Sequence, residues 1–296
     1  MRVLMAAVGA ALAAAPALAQ CGPPDNPAPR VRDSLLVSST WLSRHLNDRN
    51  LVILHVGDLA SYDAGHVPGA RLVDAHEFSV GNHDLPAPAR LDSAIERLGI
   101  GNDSRVVMYG DAWMTGWMYL VFDFMGHGDR TAILDGGLPA WREGGHAVSR
   151  QPSPPARRST FSPRVRHDIV VSADWIRARL RHDDVALIDT RDANEYREGH
   201  LPGAVLLAWE RTMARPREAL QNIASPFLPV SDLQPLLAAA GVTGNRTPVL
   251  YCTVGMRASH MYFVARYLGH DPKIYDGSWA DWTSRAGAVV RGTSPR

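Results

Sequence analysis

A cysteine and an arginine stand five positions apart near the end of the chain, in the segment Tyr251-Cys252-Thr253-Val254-Gly255-Met256-Arg257. The thiolate is the nucleophilic form of cysteine, and nearby cations and backbone N–H groups stabilise it. We therefore expect Cys252 to act as a nucleophile near neutral pH, with Arg257 beside it. A free cysteine is more often a small buried hydrophobe, but Gly255 and Arg257 in the same loop favour the chemical role.

The residues around this loop predict the elements that position the cysteine. Leu250 and Tyr251 end a short apolar run that is typical of a buried strand, and residues 258–268 predict a helix. Cys252 would then lie at a strand-to-helix turn. The first N–H groups of a helix have no partner within the helix, so they point at any anion held there. The sequence thus predicts an anion-binding loop around the thiol.

A repeated sequence pattern indicates that the chain was built twice from one unit. The first pair of matching segments is separated by 134 positions, the second by 142 and the third by 141. These pairs are residues 51–70 with 185–204, residues 106–111 with 248–253, and residues 135–141 with 276–282. Two related domains follow from this repeat.

Within each copy, short apolar runs alternate with segments of helical length, such as residues 172–180 and 231–240. This alternation is typical of an α/β domain whose parallel sheet is covered by helices on both faces. We predict such domains at residues 35–150 and 169–296. The proline-rich residues 151–168 form a semi-rigid linker between them.

The N-terminal residues predict a secretion signal outside both domains. A positive residue is followed by an apolar stretch too short to span a membrane, and Ala17-Leu18-Ala19 has the small residues of a cleavage site. We predict a signal peptide at residues 1–19, a leader at 20–34, and a periplasmic or secreted protein. Lipid attachment at Cys21 is the less favoured alternative, because Gln20 is not the small residue expected before such a cysteine. No transmembrane segment is predicted elsewhere.

The composition limits the possible partners, the number of domains and the disulfide content. The 31 basic and 30 acidic residues give a formal charge of +1, which predicts no nucleic-acid surface. The 296 residues, 46% of them hydrophobic, suffice for two cores. With only two cysteines in the chain, no disulfide framework is predicted.

Three segments together resemble the tandem-domain rhodaneses, which are thiosulfate sulfurtransferases. They are Glu198-Gly199-His200-Leu201-Pro202-Gly203-Ala204, the loop at residues 252–257, and Tyr275-Asp276-Gly277-Ser278-Trp279-Ala280-Asp281-Trp282. The resemblance covers residues 35–290. It implies two rhodanese-like domains of which the second is catalytic.

The first domain lacks the nucleophile, because Gly110 and Asp111 stand where the second domain has Cys252 and Thr253. In the tandem rhodaneses such an inactive domain closes one wall of the active site. Trp113 and Trp117 are candidates for that wall. Packing in the core or at the domain interface is nevertheless the favoured interpretation of each tryptophan taken singly.

The resemblance implies sulfur transfer through a persulfide on Cys252. Thiosulfate would donate its outer sulfur, and cyanide or a cellular thiol would accept it in a ping-pong cycle that needs neither a metal nor an organic cofactor. The expected substrate-binding residues are Arg257, Arg191, Thr253, Val254, Gly255 and Met256. Bracing of the loop is the alternative role for Arg257, and a structural salt bridge is an equally weighted alternative for Arg191.

We expect the histidines and tryptophans of the repeated motifs to have structural roles. His66 and His200 occupy the same motif in both copies, including the copy without a cysteine, so we expect them to shape turns. Trp279 and Trp282 are expected to pack beneath the active loop, with Trp279 a candidate for lining the pocket. We expect the protein to be a monomer.

Three other functions compete with thiosulfate sulfurtransferase. Mercaptopyruvate sulfurtransferases share the tandem form, but their loop usually runs Cys-Gly-Ser/Thr-Gly-Val-Thr, from which Thr253, Met256 and Arg257 depart. Dual-specificity phosphatases of this fold place five residues between cysteine and arginine, whereas four separate Cys252 from Arg257. The third alternative is a non-catalytic sulfur-carrier or interaction module, against which the intact Cys252 and Arg257 argue.

Overall fold

The computed structural model describes residues 29–81, 84–180, 182–221, 224–244 and 246–295. The first domain contains a sheet of five parallel strands in the order β1-β5-β4-β2-β3. Its strands are β1 Leu36–Val37, β2 Leu51–Val56, β3 Arg71–Val73, β4 Arg105–Gly110 and β5 Thr131–Leu134. Its α-helices are α1 Ser39–His45, α2 Leu59–Ala64, α3 Pro88–Arg97, α4 Ala112–Phe124 and α5 Gly137–Glu143, and it has short 3₁₀ turns at Asp33–Leu35, Ala75–Phe78 and Gly128–Arg130.

The second domain contains four parallel strands in the order β7-β6-β8-β9. Its strands are β6 Val185–Asp189, β7 Val205–Leu206, β8 Thr247–Tyr251 and β9 Lys273–Ile274. Its helices are α6 Ala173–Arg177, α7 Ala193–Glu198, α8 Pro216–Ala219, α9 Val230–Ala239, α10 Met256–Tyr267 and α11 Ser278–Ser284, with 3₁₀ turns at His167–Ile169 and Trp209–Thr212. The predicted fold class, two α/β units with parallel sheets, is confirmed.

The central strands β4 and β8 are buried because helices cover both faces of each sheet. Four of the six residues of β4 and four of the five residues of β8 are buried. Their apolar side chains alternate between two separate clusters, one on each face of the sheet. A continuous apolar run is what such a doubly covered strand requires.

Two helix boundaries differ from the sequence prediction. The helix predicted at residues 172–180 is only α6 Ala173–Arg177. The helix predicted from residue 258 begins at Met256, because Gly255 adopts a φ of 91° and serves as its N-cap. Met256 and Arg257 therefore belong to the first turn of α10, where the free N–H groups lie.

The two domains meet where α4 packs against α10. Gly116 permits this contact, since a Cβ at that position would lie 2.7 Å from the Cα of His260. Near the other end of the contact, the buried Asp123 accepts hydrogen bonds from Arg166 at 2.8 Å and from the hydroxyl of Tyr262 at 2.6 Å. One apolar cluster extends through both domains.

The linker and the end of the leader both pack against the domains. Within the linker, the backbone N–H of Phe161 and the side chain of Arg158 donate to Glu96 of α3. In the leader, the N–H of Arg32 donates to the carbonyl oxygen of Tyr267 at 2.8 Å, and its guanidinium pairs with Asp271.

The predicted signal peptide, the Gln20 start and Cys21 lie outside the described residues. Among the helices of the described ranges, none combines the length and the apolar character that crossing a bilayer requires.

Candidate active site

Cys252 directly follows the central strand β8 and is 1% exposed. Its backbone N–H donates to the hydroxyl of Ser278 at 3.2 Å, and its carbonyl oxygen accepts from the N–H of Trp279 at 3.0 Å. The next carbonyl, that of Thr253, accepts from the N–H of Ala280 at 3.1 Å. The first turn of α11 thus holds the beginning of the active loop.

The N-terminus of α10 carries no side-chain cap, in contrast with its counterpart in the first domain. There the carboxylate of Asp111 accepts from the N–H groups of Trp113 and Met114 at 2.9 and 3.2 Å, so α4 is already capped by an anion. At α10 the corresponding N–H groups are left for another anion. A thiolate or persulfide on Cys252 is suited to this position.

The first domain also lacks room for the nucleophile. Gly110, which matches Cys252, has a φ of 146°, and a Cβ at this position would lie 1.8 Å from the carbonyl oxygen of Val56. The backbone therefore excludes any side chain there. The backbone around Gly110 is thus consistent with the prediction that this domain carries no nucleophile.

Arg257 forms an ion pair that the sequence analysis did not predict. Its guanidinium donates to the two carboxylate oxygens of Glu195 at 2.6 and 2.9 Å, and also to the hydroxyl of Thr253 at 2.6 Å. The Thr253 hydroxyl in turn donates to Glu195 at 2.9 Å. Arg257 is therefore at the loop as predicted, but its donors are engaged with protein groups.

The ion pair stays charged over the whole neutral range. Burial opposes ionisation of Glu195, but the hydrogen bonds from Arg257 and from Asp192 outweigh it and lower the pKa to about 2. Burial likewise disfavours the charge on Arg257, while Glu195 and a negative Cys252 raise its pKa. Glu195 is held in place by the capping box of α7, in which its N–H donates to Asp192 at 3.0 Å.

The repeat contains a signal that could have identified Glu195. At the offset of 134 the first domain has Ser61 where the second has Glu195, and at the offset of 142 it has Thr115 where the second has Arg257. Both members of the ion pair are thus absent from the copy without the cysteine. A paired difference of this kind indicates two side chains that act together.

The guanidinium of Arg191 is buried and engaged with protein groups. Arg191 is 2% exposed, and its guanidinium donates to Asp189 at 2.6 to 3.1 Å and to the carbonyl oxygen of Gly199 at 2.7 Å. Asp189 also accepts from the hydroxyl of Tyr251 at 2.7 Å. The observed contacts are those of the salt-bridge alternative, and they brace the end of β8 just before Cys252.

The tryptophans of the first domain occupy different positions. Trp117 is fully buried, donates its indole N–H to the carbonyl oxygen of Phe78 at 3.2 Å, and has a ring atom 3.8 Å from the Cβ position of Gly255. Trp113 is only partly buried and packs edge-to-face on Trp209 at 5.7 Å. Trp117 is therefore the one that lies against the active loop.

A second contact from the first domain reaches the site through Asp276. One carboxylate oxygen of Asp276 accepts from the N–H of Leu85 at 2.9 Å. The other has no hydrogen-bond partner and lies 3.1 Å from the Cβ position of Gly255. Burial, countered only in part by the Leu85 hydrogen bond, raises the pKa of Asp276 to about 7.

The residues expected to be structural are fully engaged. His66 and His200 each stack on a tyrosine at 3.7 Å and hydrogen-bond backbone carbonyls in the same way in both domains. Trp282 is fully buried and donates to the carbonyl oxygen of Ala288 at 2.8 Å. Trp279 lies over the guanidinium of Arg191, with 4.6 Å between its ring centroid and Cζ.

The fold and the site define a class of protein, namely a tandem α/β protein with a buried cysteine in a loop between a central parallel strand and the N-terminus of a helix. The Rhodanese-like domain family matches the chain twice, at residues 38–144 and 172–285. The chain therefore belongs to the rhodanese family, with two domains in tandem.

Curated relatives extend this similarity along most of the chain. The sulfur carrier protein TtuD of Thermus thermophilus is 30% identical over 286 residues, which cover 86% of this chain and 96% of that protein. The thiosulfate sulfurtransferase of Pseudomonas aeruginosa is 30% identical over 266 residues, or 84% of this chain and 93% of that protein. One relative is named a sulfur carrier and the other a sulfurtransferase, and only the second name states a donor.

Solved structures share the fold. YnjE superposes with a TM-score of 0.77 at 21% identity, covering 88% of this chain and 69% of that one. A persulfide form of EanB in a tetrahedral intermediate state with ergothioneine superposes with a TM-score of 0.78 at 20% identity, covering 90% of this chain and 72% of that one.

Proposed function

We propose that the protein is a thiosulfate sulfurtransferase that transfers sulfur to cyanide or another thiophile through a persulfide on Cys252. The observation that carries this proposal is the buried thiol at the uncapped N-terminus of α10. Membership of the rhodanese family and the names of the relatives support sulfur transfer in general.

In the first half-reaction the Cys252 thiolate attacks the outer sulfur of thiosulfate. A new S–S bond forms as the bond to the sulfonate sulfur breaks, and the electron pair of that bond leaves with sulfite. The persulfide left on Cys252 carries the remaining negative charge. The unpaired N–H groups at the start of α10 stabilise that charge without reorganisation.

In the second half-reaction the acceptor attacks the terminal sulfur of the persulfide. With cyanide the products are thiocyanate and the Cys252 thiolate, so the enzyme returns to its starting state. Because sulfite leaves before the acceptor reacts, the kinetics are ping-pong.

The other loop residues support this cycle in different ways. The backbone of residues 253–256 surrounds the terminal sulfur, and Arg257 orients the sulfonate group of the donor, to which a planar guanidinium is suited. Arg191 holds the end of β8 through Asp189, which supports the salt-bridge role for this residue over donor binding. One chain supplies all of these groups together with Trp117 of the first domain, which supports a monomer as the working unit.

A sulfur carrier is the second candidate function, favoured by the name of the Thermus thermophilus relative. Such a protein would form the same persulfide and pass its sulfur to a protein rather than to a small thiophile. Mercaptopyruvate is the alternative small-molecule donor. The carrier differs in the acceptor that takes sulfur from the persulfide, and mercaptopyruvate differs in the product released as the persulfide forms.

Intact-protein mass spectrometry tests the proposal directly. Treatment with thiosulfate should add one sulfur atom, and subsequent cyanide should remove it with release of thiocyanate. The Cys252→Ser variant should gain no sulfur. A persulfide that cyanide leaves untouched would favour the carrier, and a sulfur gained from mercaptopyruvate but not from thiosulfate would reassign the donor.

We further propose that the protein acts in the periplasm or is secreted, which the predicted signal at residues 1–19 supports. The mature chain is then expected to begin at Gln20 with no lipid on Cys21. Mass determination of the mature N-terminus decides this point. An unprocessed Met1 would place the protein in the cytoplasm, and a lipid-modified Cys21 would make it a lipoprotein.

A further inference from the structure

The terminal nitrogens of Arg257 are paired with protein groups before any substrate arrives. Both of its terminal nitrogens contact Glu195, at 2.6 and 2.9 Å, and one of them also contacts Thr253. The two side chains of the ion pair are 19% and 29% exposed, so the pair is sheltered but accessible. A sulfonate that binds Arg257 therefore meets a guanidinium whose charge is already matched by a carboxylate.

The neighbouring charges do not restore a positive site. Arg191 is neutralised by Asp189 at 2.6 Å. Asp192 lies at the N-terminus of α7 beside Glu195, and Glu210 is close enough to Arg257 for their charges to interact. Arg191 and Arg257 are thus each paired with a carboxylate. The backbone dipoles at the start of α10 favour an anion in addition.

We propose that Glu195 sets the preference of the site among sulfur donors of different charge. By pairing with Arg257, it disfavours dianionic donors such as thiosulfate relative to monoanionic ones. The inference rests on the proposed sulfur transfer through Cys252. Glu195 acts on the donor through Arg257 and touches neither the donor nor the reacting sulfur.

The first domain supports a role for the pair beyond folding. Its α2 and α4 form in the same places with Ser61 and Thr115 at the matching positions, so this fold does not require an ion pair there. The pair is present only in the domain that carries the cysteine. It therefore belongs to the chemistry of the loop rather than to the construction of the sheet.

Thiosulfate and methanethiosulfonate form a suitable pair of probes, because each offers an outer sulfur bonded to an oxidised sulfur. Cys252 attacks that outer sulfur in both cases, and the leaving group is sulfite or methanesulfinate. Thiosulfate carries two negative charges and methanethiosulfonate carries one. The ratio of their kcat/KM values therefore reports how the site responds to the second charge.

The decisive variant is Glu195→Gln, which removes the charge and keeps the shape. Its kcat/KM for thiosulfate should rise about tenfold, mainly through a lower KM, as expected for one unit charge acting across several ångströms of a partly screened site. The kcat/KM for methanethiosulfonate should stay within about threefold of the wild-type value. The gain on thiosulfate should shrink as salt is added.

Two further variants separate charge from shape. Glu195→Asp keeps the charge and should retain the wild-type preference between the donors. Glu198→Gln makes the same chemical change at an exposed position of the same helix and should alter neither donor.

Loss of activity on both donors in Glu195→Gln, or an unchanged ratio of the two, would overturn the role of Glu195 while leaving sulfur transfer intact. If the wild-type protein took sulfur from neither donor, the proposed function itself would fail, and with it this inference.

Discussion

At the scale of single residues, position 252 and its counterpart Gly110 differ in both side chain and backbone surroundings. Cys252 places a thiol at the uncapped start of α10, whereas in the first domain Gly110 leaves no room for a side chain and Asp111 caps α4. The first domain thus carries its own anion where the second leaves space for a reacting one. The loss of the nucleophile is therefore tied to the local backbone.

Because the backbone leaves no room for a side chain at Gly110, a cysteine placed there should not give the first domain a working nucleophile. Gly110→Cys should destabilise the protein by roughly 3 kcal/mol or more, because the new Cβ would lie 1.8 Å from a backbone oxygen. Thermal unfolding measures this loss. Gly69→Cys is the control, since Gly69 also has a positive φ but no atom within 4 Å of its Cβ position. A stable Gly110→Cys protein that forms a persulfide at residue 110 would contradict the argument.

Arg257 carries the second prediction at this scale. Arg257→Ala should lower kcat/KM for thiosulfate by roughly one to three orders of magnitude, because the donor loses a charge-assisted contact and Glu195 is left without its partner. Arg257→Lys should recover only part of the activity, since an ammonium lacks the planar fork. Steady-state formation of thiocyanate measures both variants. Equal activity of all three proteins would leave Arg257 with a bracing role only.

The sequence predicted the parts of the site that are local in the chain better than the contacts between residues that only the fold brings together. Cys252 and the loop follow from a strand, a glycine and a helix within about 20 residues. The pair of Glu195 and Arg257 joins residues 62 positions apart, so no local pattern reveals it. Arg191 could not be assigned because its partner, Asp189, depends on how the side chains pack beneath Tyr251.

At the scale of elements, the loop depends on a turn that only glycine adopts without strain. Gly255 has a φ of 91°, and its Cβ position lies 3.1 Å from two oxygens of Asp276. This turn starts α10 early enough to bring Arg257 into its first turn. The elements themselves were predictable from the apolar runs, but the boundary of α10 was not, because it depends on this left-handed residue.

Gly255→Ala should therefore affect both stability and chemistry. We expect a loss of about 1 to 3 kcal/mol from backbone strain, together with a fall in sulfur transfer of at least tenfold if the N–H groups turn away from the sulfur. Urea unfolding and thiocyanate formation measure the two effects. Gly145→Ala is the matched control, because Gly145 has a φ of 73° and an open Cβ position far from the loop in sequence. That variant should lose stability and keep its kcat.

At the scale of the whole molecule, the first domain contacts the segments around Cys252 in the second domain. Trp117 lies against Gly255, and the N–H of Leu85 binds Asp276 across the domain boundary. Both contacts reach the segment that holds the active loop. The tandem arrangement was predictable from the repeat, but these contacts were not, because Leu85 and Asp276 are 191 positions apart and belong to different copies.

Asp276 makes this connection between the domains dependent on pH. Burial raises its pKa from 3.8 to about 7 in the folded protein, so between these values the folded state binds more protons than the unfolded state. The contribution of Asp276 to the free energy of unfolding must then fall as the pH rises from about 4 to about 7, and it stays low above that range. Asp84 adds to the effect because its negative charge also disfavours ionisation.

Asp276→Asn removes the titration and retains an oxygen that can accept from Leu85. The variant should gain stability relative to the wild type as the pH rises from 5 to 8, by about 1 to 3 kcal/mol over that range. Urea unfolding at a series of pH values measures this difference, and Asp183→Asn at an exposed position is the control. A difference between variant and wild type that does not change with pH would show that Asp276 is not protonated within the folded protein. The expected slope would instead mean that the folded protein is stabilised when this buried carboxyl group takes up a proton.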